Sequence, residues 1–94
     1  MTNFLHVAFG FAGKNPGIKA VQDIFGAAGW ARYAPNCWIV TTDETPQQLA
    51  ERLRAICDPM DSVFVCPIDI NNKAGYLHKD IWDWFLSERK RIGI

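Results

Sequence analysis

Gly10-Phe11-Ala12-Gly13-Lys14 sets two glycines and a lysine between an apolar run and a helical pattern, which brings backbone amides and an ammonium group to one loop. A phosphate loop needs a longer glycine spacing and a serine or threonine after the lysine, whereas here Asn15-Pro16 follow it. An ordinary strand–helix connection is therefore the expectation, with phosphate contact by Lys14 and the loop amides as the sharper alternative. Arg89, Lys90 and Arg91 form the single local charge cluster. On a helix they splay around a turn, where they complement the negative end of the macrodipole. Contact with nucleic-acid phosphates is the alternative, since it needs only a few accessible cations. Asp80 and Asp83 fall three apart near a helix start and could share a face, but acidic residues in a first helical turn complement the macrodipole. Asp43 and Glu44 precede another helix and are expected only to solvate a turn. Cys37, Cys57 and Cys66 are an odd set without Cys-x-x-Cys spacing, which argues for free thiols and against a disulfide framework or a zinc site.

These groups are carried by alternating elements. Phe4 to Phe9 reads as a strand, and Asn15-Pro16-Gly17 breaks the chain after it. Ile18, Val21, Phe25 and Ala28 recur on one face of a helix, with Gly29 suited to the position after its C-cap. Trp30 to Ala34 and Cys37 to Thr42 are strands joined at Pro35-Asn36 as a hairpin. Thr45-Pro46-Gln47-Gln48 fits a capping box with proline at the first helical position, followed by an inward stripe of Leu49, Leu53 and Ile56. Asp58-Pro59 ends that helix, Ser62 to Ile68 is a further strand, and a terminal helix runs from about Lys79 to Arg91.

The resulting order, βαββαβ plus a helix, has a favoured solution. Right-handed crossovers interlocked by a hairpin give an α+β, ferredoxin-like sandwich: a four-stranded sheet with two helices on one face and an additional C-terminal helix. In the last strand Val63 and Val65 oppose Phe64, Cys66 and Ile68, and in the third Cys37 and Ile39 oppose Trp38 and Val40. Both faces of the sheet are apolar, so both need a cover. The second cover is either the terminal helix, using Ile81, Trp82 and Phe85, or a second copy of the chain.

Composition narrows the function classes. Residues 1–94 make one domain, 49% hydrophobic and 21% charged, as in a globular protein rather than a disordered one. Ten basic residues balance ten acidic ones, so no global field draws the chain to nucleic acid or membrane. The N-terminus lacks a basic region followed by a cleavable apolar core, so no signal peptide is read and a cytoplasmic location is expected. The aromatics Trp30, Trp38, Trp82 and Trp84 are expected in a core or interface, with base stacking as the less common use.

The ordered combination of Trp30, Asn36-Cys37-Trp38-Ile39-Val40-x-Thr42, Gln48-Leu49, Arg52-Leu53, Asp58, Asp61, Val63 and Gly75-Tyr76-Leu77-x-Lys79-Asp80-x-Trp82-Asp83-Trp84 resembles the SinR-like small bacterial proteins. These are relatives of the small CRISPR-associated endoribonucleases that partner the spacer integrase. The resemblance covers Trp30 to Phe85 and implies a ferredoxin-like homodimer built on the sheet face. In the nuclease relatives, an aspartate near the end of the first strand, after an aromatic residue, binds the metal. Here that stretch is Leu5-His6-Val7-Ala8-Phe9-Gly10-Phe11, without a carboxylate. A hard divalent cation needs oxygen ligands, and metal-assisted phosphodiester hydrolysis depends on that ion. His6 is the one polar ligand nearby and reads as an ordinary sheet residue.

The expectation is a non-catalytic homodimeric assembly module without metal or cofactor, its interface drawn from Trp38, Tyr76, Trp82, Trp84 and Phe85. The alternative is a nucleic-acid-binding protein using Lys14 and the tail Arg89, Lys90 and Arg91. A nuclease working through other carboxylates, such as Asp61 or Asp69, is the third reading.

Overall fold

The computed structural model describes residues 2–13, 15–26 and 29–93. Its elements are β1 (Asn3–Gly10), α1 (Ile18–Phe25), β2 (Gly29–Ala34), β3 (Cys37–Thr42), α2 (Pro46–Arg54), β4 (Ser62–Pro67) and α3 (Lys79–Ile92). The strands form one four-stranded sheet in the order β2-β3-β1-β4, with every neighbouring pair antiparallel. The molecule is thus an α+β protein with a four-stranded antiparallel sheet and three helices. No helix among the described residues is long and apolar enough to cross a membrane.

Local chemistry accounts for most boundaries. The expected capping box is formed: Thr45 Oγ1 accepts from the Gln48 amide at 3.1 Å, and Gln48 Oε1 accepts from the Thr45 amide at 3.0 Å. Pro46 opens α2, where its missing N–H costs nothing. α1 ends earlier than its apolar spacing suggests. Gly26, at φ 61°, follows Phe25 as the C-cap, so Gly29 opens β2 instead of closing α1, and Ala28 lies outside the described residues.

Period-2 alternation sorts the strands onto two faces. Leu5, Val7 and Phe9 of β1 and Trp38 and Val40 of β3 face α1 and α2, where they pack with Val21, Phe25, Leu49 and Leu53. Each such fully buried aliphatic or aromatic side chain contributes about 1.5–3 kcal/mol relative to exposure. Trp38 is the centre of this layer, 1% exposed, with Phe9 and Phe25 edge-on at 5.6 and 6.0 Å.

The opposite face carries a second, smaller core of Phe4, Ile39, Ile70 and Phe85, flanked by Tyr33, Ile68, Ile81, Trp82, Trp84 and Ile92. The terminal helix α3 is therefore the second cover, supplied by the same chain. Phe85 stacks on Phe4 at 5.7 Å and meets Trp84 edge-on at 5.4 Å. Near its C-terminal end α3 is latched to β3: Thr41 Oγ1 donates to Glu88 Oε1 at 2.7 Å, and Arg91 donates to both Glu88 carboxylate oxygens.

Candidate functional site

α3 does not cover the whole second face. Beyond its shelter, register aligns Phe64 of β4 with Ala8 of β1, and Ala8 with Cys37 of β3. His6 lies one row nearer α3, opposite Cys66 on one side and Ile39 on the other. Phe64 remains 62% exposed, while Ala8, Cys37 and Cys66 are half-buried. None of the described strand residues that form this strip, Ala8, Cys37, Phe64 and Cys66, carries a charge. An uncharged strip around one exposed aromatic ring is suited to association with another surface rather than to bond-making.

His6 and Tyr33 mark its inner border. The β2–β3 register skips Tyr33 between Arg32 and Ala34, a bulge that leaves its ring free to cross toward β1. His6 Nε2 and Tyr33 Oη form a hydrogen bond, with the ring centres 5.6 Å apart. Burial pushes the Tyr33 hydroxyl up to about 12, helped by the neighbouring Cys37 and Cys66 sulfurs. Burial also lowers His6 from its ordinary value of 6.5. The pair is therefore neutral near pH 7, a hydrogen-bonded brace between β1 and β2 rather than an acid–base couple. Beside it lies a pocket of about 220 Å³ lined by Tyr33, Ile39, Lys73, Trp82 and Phe85, among others. Lys73 donates to the Ile70 carbonyl and stands 5.1 Å over the Phe85 ring, so its charge is engaged at the pocket wall.

The His6 shift sets a pH dependence. Above pH 6.5 the imidazole is neutral folded and unfolded, and it contributes nothing to the slope. As pH falls through 6.5 the unfolded chain takes up the proton first, so stability declines until the folded value is reached. Urea titrations between pH 7.5 and 5 should show this decline in the wild type and a flatter profile in His6→Gln. Parallel profiles for the two proteins would contradict the buried neutral histidine.

The other expected site residues are scattered. Trp38, 1% exposed, packs beneath α1, and Phe85, 4% exposed, is likewise buried in this chain's own second core. Both rings, expected at an interface, find their partners within the chain and lie in its cores. Trp82 and Trp84 are half-buried against the second core, and Tyr76 is fully exposed in the segment before α3. Lys14 lies outside the described residues. Arg91 is tied to Glu88 and Thr41, so the tail offers Arg89 and Lys90 without it.

Asp61 does not resemble a catalytic carboxylate. It is buried; Oδ1 accepts the Ala12 and Gly13 amides at 2.8 and 3.2 Å, and Oδ2 accepts the Asp58 amide at 2.9 Å. Burial opposes its charge, yet the amides of Asp58, Ala12 and Gly13 outweigh that and hold it below the usual carboxylate range. Its task is to pin the loop after β1 to the start of β4. Asp69 accepts the Asn71 amide in a local turn. Lys79 and Asp83 pair along α3, and Asp80 stands 3.5 Å from the His78 ring. Among the described residues, no three His, Cys, Asp or Glu side chains are grouped to hold a metal ion.

The grouping of His6 with Tyr33 across 27 residues was not anticipated from sequence. Only the bulge reveals it, and nothing in the local pattern of β2 announces one. Comparison with family models, curated proteins and solved structures gives no match to this chain.

Proposed function

We propose that the chain is a non-catalytic assembly module of ferredoxin-like topology that pairs with a second copy through the open strip of its second sheet face. The topology is supported by the strand order β2-β3-β1-β4, in which both crossover helices pack on one face. A distant relationship to the SinR-like proteins is part of the same reading and rests on the residue pattern alone. The observation that carries the reading is Phe64, 62% exposed in the middle of an uncharged strip on an edge strand. A second copy is the occupant best suited to it. An isologous contact sets identical strips against each other, so no like charges meet, and the chain's ten cations and ten acids leave no net repulsion between copies.

Light scattering is expected to give a dimer for the wild type. Phe64→Asp, which brings two carboxylates together near the two-fold axis, is expected to give a monomer with an unchanged circular dichroism spectrum. A monomeric wild type, or a dimer indifferent to Phe64→Asp, would sink the proposal.

A further inference from the structure

We propose that the cleft at the N-terminal end of α1, on the face of the sheet opposite Phe64, binds the phosphate group of a phosphate ester. The cleft encloses about 460 Å³ and is lined by Phe11, Gly17, Ile18, Arg32, Asn36 and Trp38, among others, with no carboxylate in its wall. That volume falls within the usual range for small-ligand sites.

Three sets of donors converge there. The first is the helix terminus itself. α1 starts at Gly17, whose φ of 96° favours glycine and whose residue type supplies no capping side chain. The first turn also carries no acidic residue. The Gly17 amide is taken by Asn15 Oδ1 and the Val21 amide by the Gly17 carbonyl, while the amides of Ile18, Lys19 and Ala20 have no acceptor among the described residues. Such uncapped amides, at the positive end of the helix dipole, attract an anion.

Arg32 is the second donor. Its Nε and Nη2 donate to the Pro35 carbonyl, and no carboxylate pairs with it among the described residues. A guanidinium held this way keeps donors and its full charge for a phosphate oxygen.

Trp38 supplies the independent observation. It is 1% exposed and lines the cleft, and its buried indole Nε1–H has no hydrogen-bond partner. An unsatisfied buried donor is costly, and native proteins rarely leave one without a use. The Arg32 guanidinium stands 5.5 Å from the centre of this indole. An anion held by Arg32 therefore lies beside the Trp38 ring in the wall of the same cleft. Phe11, half-buried and stacked on Phe9 at 5.1 Å, adds an aromatic wall beside the anion position. A phosphate ester bearing a flat base matches that pairing of charge and ring. Lys14 adjoins this loop but lies outside the described residues, and the site does not depend on it.

The test is a ¹H–¹⁵N titration of the full chain with inorganic phosphate, then adenosine monophosphate, then a 5′-phosphorylated oligonucleotide, each against sodium chloride of matched ionic strength. The Trp38 indole resonance and the amides of Ile18 to Ala20 are expected to move saturably, with a Kd on the order of 1 mM for inorganic phosphate. Tighter binding of the monophosphate than of phosphate assigns the Phe11 wall to the base, and tighter binding still of the oligonucleotide identifies a nucleic-acid end as the source. Arg32→Gln, at an exposed position, should weaken phosphate binding about tenfold. Ile18→Asp should abolish it while leaving the fold intact or steadier, because a carboxylate in the first helical turn takes the place of the anion. Shifts reproduced by chloride, or unchanged in both variants, would overturn the assignment.

Discussion

Phe85→Ala is expected to lower the unfolding free energy by about 3–5 kcal/mol in urea titrations, the range for removing a buried phenylalanine whose site cannot collapse. Collapse is hindered here because the ring is held on several sides. Phe4 lies stacked at 5.7 Å, Trp84 edge-on at 5.4 Å, Trp82 tilted at 5.9 Å, and the Lys73 ammonium lies above it at 5.1 Å. The loss should be independent of protein concentration at concentrations where the chain is monomeric, since α3 covers the sheet of its own chain. Leu86→Ser, one residue on and 66% exposed, should change stability by no more than about 0.5 kcal/mol. A Phe85 loss under ~1 kcal/mol, or one matched by Leu86→Ser, would mean that α3 does not seal the second face.

Gly29→Ala should also destabilise the fold, by less and through a different mechanism. A Cβ at Gly29 would overlap Glu88 Oε1 outright and lie 2.7 Å from Thr41 Oγ1. The space belongs to the Glu88 carboxylate and the Thr41 hydroxyl, so an added methyl pushes the carboxylate off its bonds to Thr41 and Arg91, at a cost of about 1–3 kcal/mol. The same latch should appear as an acid limb. The hydrogen bond from Arg91 depresses the Glu88 carboxyl most, burial works against it, and the Thr41 hydroxyl adds to the depression. A carboxyl held below its unfolded value of 4.5 stabilises the fold above that pH and loses the contribution as pH falls through the folded value. Glu88→Gln should therefore cost about 1.5–3 kcal/mol near neutral pH, the worth of hydrogen bonds to a buried charge, and less below pH 4. Equal losses at both pH values would show that the carboxylate's charge does not hold α3 in place.

Much of the scaffold was legible because its causes are local. Thr45 and Gln48 are three residues apart and cap the same turn, so their chemistry alone located the start of α2. The alternation Val63-Phe64-Val65-Cys66 assigned residues to faces because a strand has a period of two whatever it packs against. The same alternation showed that both faces are apolar and that a second cover is needed. Where a close approach decided the matter, local reading failed. Gly29 was placed after a helix because glycine often occupies that position, whereas here it is needed for the approach of a carboxylate 59 positions on, at Glu88.

The candidate sites were less legible still. His6 and Tyr33 meet only because β2 bulges, Asp61 is spent on three amides, and Arg91 on a glutamate. Each of these depends on which backbone atoms come close after the sheet has assembled. Trp38 and the uncapped turn of α1 likewise line one cleft only because β3 lies beneath that helix.

By itself, then, the sequence determined the elements, their order, the α+β class and the apolar character of both sheet faces, all consequences of period, capping and turn chemistry within a few residues. The tertiary structure alone decided that α3 closes the second face of its own chain, that Trp38 and Phe85 are core rather than surface, and that a strip around Phe64 stays open. The reason is that periodicity tells which way a side chain points but not what arrives to meet it. That depends on strand register and on the path of a helix dozens of residues away.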